Sequence, residues 1–133
     1  MEIITTLPGR LSTISEYNGF TVKTAQPASS NGDGSAPTPF DLFLISIASC
    51  SATYASYFCE TRDIPIDDIR IIQKMERDPV SHMLTRITVE VELPADFPDK
   101  YIKPMLKSID MCAVKKLLVD PPEVAVTVTR ISS

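Results

Sequence analysis

The sequence has no surplus of basic charge: 13 lysines and arginines stand against 17 aspartates and glutamates, a net charge of −4. The basic residues are scattered, and without a basic stripe there is no electrostatic footprint for nucleic acid. The first residues, Met1-Glu2-Ile3-Ile4-Thr5-Thr6-Leu7-Pro8, lack a basic segment followed by a long apolar stretch. No secretory leader is expected, and the cytoplasm is the expected compartment. No apolar run is long and clean enough to read as a membrane span, because the longest, 42–58, contains Ser46, Ser49, Ser51, Thr53 and Ser56. Metal-ligand spacing is also missing. Three cysteines and one histidine occur, but no C-x-x-C or H-x-x-x-H pattern, so no metal or other cofactor is expected. His82 lies in a loop with no acid or thiol near it in sequence and reads as a surface residue. An odd cysteine count in a reducing compartment argues against a stapled disulfide framework. Internal repeats are absent.

What remains is enough for one domain. The chain has 133 residues and is 44% hydrophobic, long enough for a true core and too short for two ordinary ones, so residues 1–133 read as a single domain. Runs of β type at 10–16 and 20–25 flank Tyr17-Asn18-Gly19, and Asn-Gly between such runs predicts a hairpin. The stretch 26–37, rich in Ser, Gly and Pro, reads as a surface loop.

Thr38-Pro39-Phe40-Asp41 then carries a capping-box pattern with proline at the first helical position. It predicts a helix running to about Thr61, free of Gly and Pro after its start and apolar on nearly every face. In so small a chain a sheet covers one side of such a helix only, which predicts a second copy of the protein over the rest. Pro65 ends the helix. Alternating apolar residues predict strands at 66–76 and 83–93, and helical spacing predicts a helix over 99–108 that Pro104 should kink. Another helical piece starts near Cys112, and Val124, Val126 and Val128 alternate in an expected final strand. Strands joined in hairpins pair antiparallel, so the fold class is α+β with a mostly antiparallel sheet.

The thiols carry the chemistry. Cys50 closes the apolar run 39–50, and Cys112 opens the run 112–118. Cys112, at a helix start with Lys115 and Lys116 in the next turn, is the expected low-pKa thiol. Cys50, mid-helix among apolar neighbours, should be held up by burial and should need a cationic partner. Cys59 lies nine residues on, half a turn out of phase, and reads as a packing residue. Phe40, Phe43, Tyr54, Tyr57 and Phe58 read chiefly as core.

The segment Ala36-Pro37-Thr38-Pro39-Phe40-Asp41-Leu42-Phe43-Leu44 leading to Cys50, then Met111-Cys112-Ala113-Val114 and a Pro-Pro-Glu-Val strand, resembles the OsmC family over about residues 16–131. That family includes osmotically inducible protein C and the organic hydroperoxide resistance proteins. The resemblance implies an intertwined α+β homodimer with a long buried central helix and two interface active sites. It implies Cys50 as the reactive cysteine and Cys112 as the resolving one. The implied function is thiol-dependent reduction of organic hydroperoxides in oxidative stress defence, with an unidentified thiol reductant. Phe40 and Phe43 are the expected walls of an apolar substrate pocket. In the hydroperoxide reductases a glutamate ten residues before the reactive cysteine pairs with an arginine from the N-terminal strands. Here Phe40 stands at that place, Asp41 belongs to the capping box, and no arginine lies near Asn18-Gly19; Arg10 is the one on the first strand. The competing reading is therefore a non-catalytic relative that binds an apolar ligand at the dimer interface.

Overall fold

In a computed structural model that describes residues 1–132, the elements run β1 (Ile4–Gly9), β2 (Ser12–Tyr17), β3 (Phe20–Ala25), α1 (Pro39–Glu60), β4 (Arg70–Arg77), β5 (Leu84–Glu92), α2 (Ile102–Ile109) and α3 (Ala113–Val119). The class is α+β with antiparallel pairing throughout. The chain divides into two units, 1–46 and 47–133.

The N-terminal unit is a three-stranded meander in the order β1-β2-β3. Its second turn is the Asn-Gly hairpin: Asn18 and Gly19 have φ of 49° and 83°, left-handed values that a type I′ turn demands and that these residues tolerate best. The strand β1 falls outside the sequence reading, for two reasons. Its turn uses Arg10 and Leu11 at φ 56° and 57°, where no Asn or Asp announces a turn, and Pro8 lies within the strand. Proline is tolerated there because β1 is an edge strand, and the pairing register shifts between Thr6 and Gly9. The loop after β3 doubles back on itself: the Gly32 N–H donates to Pro27 O at 3.0 Å. A Cβ on Gly32 would sit 1.9 Å from Gln26 O, so glycine is required by close backbone approach.

The capping box forms as the sequence indicates. The Asp41 N–H donates to Thr38 Oγ1 and the Thr38 N–H to Asp41 Oδ2, both at 3.0 Å. The helix ends with Asp63 in the left-handed region at φ 54° and the Ile64 N–H bonded to Cys59 O at 3.0 Å.

In the C-terminal unit one stripe of α1, comprising Ile47, Ser51, Ala55, Phe58 and Cys59, is buried. Ala55, Phe58, Cys59, Phe97, Met105 and Ile109 make the core cluster. Cys59 is fully enclosed there, and burial raises its thiol above the ordinary value, as suits a packing residue. The expectation that α1 is buried almost all round is not met within one chain: Ile45 and Tyr57 are half or more exposed. By length and composition alone α1 could cross a membrane, and one stripe of it packs into the core.

The hairpin β4-β5 alternates as read, with Ile87, Val89 and Val91 half-buried, and Arg70 forks onto Glu92 directly opposite at 2.9 and 3.1 Å. Pro104 does not fall in a helix interior as expected. A 3₁₀ turn, Asp99–Tyr101, leads into α2 at Ile102, which puts Pro104 in the first α-helical turn, where its missing N–H has no partner to lose. The expected final strand is absent among the described residues. Residues 121–132 have no regular structure, and Val124, Val126 and Val128 are exposed, Val126 at 92%. An alternating sequence becomes a strand only when it pairs with another edge, and within one chain 121–132 pairs with neither edge of the β4-β5 sheet.

Met105 is wholly enclosed in the core cluster. Met105→Ala should lower unfolding stability by about 2–5 kcal/mol in a denaturant titration, the range for truncating a large aliphatic core side chain. An unchanged midpoint would show the cluster to be loosely packed.

Candidate functional site

The site forms in the C-terminal unit where α3 begins against α1. Cys50 projects from the fourth turn of α1 and is partly buried; Cys112 immediately precedes α3 and is 1% exposed. Cys112 has extended backbone, φ −48° and ψ 129°, between the last turn of α2 and the first of α3. Its N–H donates to Ile109 O and its carbonyl accepts from the Lys116 N–H, both at 3.0 Å. The chain thus turns sharply at Cys112, and the unpaired amides of the next two residues face back toward α1.

The electrostatics of the pair follow from that turn. Burial pushes the Cys50 thiol up, but the Cys112 S–H donates to its sulfur and the Val114 and Ala113 N–H groups donate toward it. Together these hold Cys50 below its ordinary value. Burial likewise raises Cys112, and donation to Cys50 raises it further. The nearby Lys115 and Val114 amides offset this only in part.

This reverses the sequence expectation, in which Cys112 was the low-pKa thiol and Cys50 needed a cation. The physical reason is direction: the first amides of α3 serve the sulfur across the gap, not only the one at the helix head. The groups that lower Cys50 are a thiol and two amides, none of them charged. Lys115, expected to favour a Cys112 thiolate, is paired instead with Asp110 at 2.5 Å. Arg10, the other cation considered, occupies the β1-β2 turn of the N-terminal unit, where it contributes to the low pKa of Asp33.

Cys112, but not Cys50, lines a cavity of about 420 Å³ walled by α1 (Ile47, Ser51), β5 (Ile87, Val89, Val91), α2 (Leu106, Ile109) and the α3 region (Asp110, Lys115, Leu118). Its surface is mainly apolar, with one ion pair in the wall. Phe40 and Phe43 are not among these lining residues. They pack on each other at the start of α1, ring centroids 5.6 Å apart. The sequence analysis missed the wall residues of β5 and α2 because their strand and helix patterns mark them only as core. It also missed Ala113 and Val114, whose contribution is backbone and carries no side-chain signal. His82 is exposed in the β4-β5 turn at φ 61°. Among the described residues no three His, Cys, Asp or Glu side chains gather to hold a metal ion.

Several solved structures share this fold. An osmotic stress induced and detoxification response protein from Psychrobacter arcticus 273-4 matches with a TM-score of 0.72 at 22% identity, over 86% of this chain and 85% of that one. An OsmC like protein from Mycoplasma pneumoniae matches with a TM-score of 0.70 at 17% identity, over 90% and 87%. A Legionella pneumophila protein, described as organic hydroperoxide resistance protein OsmC and a redox protein, matches at 0.53 and 15% identity, over 89% of each chain. No curated protein matches the sequence. The family model for OsmC-like protein matches residues 32–127, which takes in all three cysteines and the whole of α1 through α3, and the chain belongs to that family.

Proposed function

We propose that the protein is a thiol peroxidase that reduces organic hydroperoxides in the cytoplasm as a homodimer, with Cys50 as nucleophile and Cys112 as resolving thiol. The reading is supported by two free thiols that influence each other, Cys50 shifted toward thiolate and Cys112 toward thiol, and by the mainly apolar cavity that Cys112 lines. The Cys50 thiolate attacks the terminal oxygen of the hydroperoxide. The O–O bond breaks, the alkoxide takes a proton and leaves as alcohol, and Cys50 becomes sulfenic acid. The Cys112 sulfur, losing its proton, attacks the Cys50 sulfur; the hydroxyl leaves as water and a disulfide forms. Two electrons from an external thiol reductant reopen it. Cavity walls of Ile, Val and Leu suit a hydroperoxide with an organic body better than hydrogen peroxide.

A second copy of the chain would cover what one copy leaves bare. The exposed Ile45 and Tyr57 of α1 and the alternating valines of 121–132 are surfaces that a monomer does not bury. The segment 121–132 would add a strand to an edge of the partner, completing the alternation that goes unpaired in one chain.

The competing reading, an apolar-ligand binder without turnover, draws on Phe40, which stands where the family resemblance places an activating glutamate. Cumene hydroperoxide separates the two. The peroxidase loses two thiols per chain within seconds and yields a Cys50–Cys112 disulfide by mass mapping, and Cys50→Ser loses turnover. Intact thiols after exposure would favour the binder.

The pH dependence has a definite sign. Because the folded pKa of Cys50 is depressed, its alkylation rate should rise with pH and level off below the pH at which an ordinary thiol, pKa about 8.5, does so. Cys112→Ala removes the S–H donor and should move that midpoint upward. A midpoint that stays put would show that the donor contributes nothing. Val126→Asp places a charge in the segment proposed to add to a partner's sheet and should convert the dimer to monomer in light scattering. A monomeric parent protein would overturn the dimer.

A further inference from the structure

Cys50 owes its environment to the placement of α3, yet α3 has little to hold it. None of its seven residues is buried, and Leu117 and Val119 are more than half exposed. Two contacts fix its first turn. One is the buried Cys112 at its head. The other is the ion pair of Asp110, which follows the last residue of α2, with Lys115, in the first turn of α3. The pair spans Met111, Cys112, Ala113 and Val114, so it closes the chain reversal that carries the last two amides toward Cys50. The same three residues, Asp110, Cys112 and Lys115, share one wall of the cavity.

We infer that the Asp110–Lys115 ion pair is a positioning device that clamps the α2–α3 turn and keeps the Ala113 and Val114 amides against the Cys50 sulfur. The inference rests on Cys50 as the reactive thiol. Asp110 and Lys115 are positioning residues, since neither touches the reacting sulfur; the titratable group that does is the Cys112 thiol. An exposed ion pair is worth little to global stability, and both side chains here are more than half exposed. Its effect should therefore be felt in the local geometry at Cys50 and not in folding.

The experiment is the pH profile of iodoacetamide alkylation at Cys50, followed by peptide mass mapping in the full-length protein, Asp110→Ala and Lys115→Met. Clamp loss raises the alkylation midpoint in both variants and slows labelling at pH 7 by about two- to fivefold, in keeping with the strength of one exposed pair. The exchanged double variant, Asp110→Lys with Lys115→Asp, recovers most of the parent profile. A through-space charge effect predicts something different. Removing the aspartate would lower the midpoint and removing the lysine would raise it, and opposite shifts of that kind, or no shift in either variant, overturn the clamp. An ordinary thiol midpoint in the parent protein overturns the reactive-Cys50 reading itself, and that result is seen before any variant is made.

Discussion

The arrangement depends on one contact, the approach of the first turn of α3 to the sulfur of Cys50. A thiol in the middle of an apolar helix is ordinarily inert, because burial disfavours its charged form. Here the chain reverses at Cys112, and the reversal delivers one S–H and two N–H donors to that sulfur without any charged residue. Neutral donors in a partly dry site can hold a thiolate because the low local dielectric strengthens each hydrogen bond. Cys112, enclosed and donating, is in turn kept as a thiol. The asymmetry between the two sulfurs is thus a property of the turn and not of either cysteine's own helix.

The rest of the C-terminal unit serves to hold that turn. Phe58, Phe97, Met105 and Ile109 pack into one cluster, joining α1 to α2 and the segment before it. The position of α2 sets where Asp110 and Cys112 emerge. The 3₁₀ turn before α2 lets Pro104 sit in the first α-helical turn, so the helix that carries the reversal runs unbroken to Ile109. Around this core much apolar surface stays uncovered, on the outer faces of α1 and along 121–132.

Much of the fold was legible because the signals were local. The capping box at Thr38 and Asp41, the Asn18-Gly19 turn, the stop before Pro65 and the alternation of Ile87, Val89 and Val91 each depend on residues a few positions apart. The misses were cases where context overrode the local pattern. β1 is an edge strand with a turn of Arg10 and Leu11, residues that do not advertise left-handed backbone. Val124, Val126 and Val128 have the spacing of a strand, but a strand needs a neighbour. The expected all-round burial of α1 counted apolar residues correctly, yet one chain encloses only a single stripe of it.

By itself the sequence determined the α+β class, the span of α1 and the out-of-phase placement of Cys50 and Cys59 on it. These follow from helical phase, caps and turn chemistry, which act over a few residues. Only the tertiary structure decided which thiol is favoured as thiolate, that Lys115 pairs with Asp110, and that β5 and α2 wall the cavity that Cys112 lines. Those outcomes turn on where backbone donors point after a chain reversal, and direction in space is not encoded in the spacing of residues along a chain.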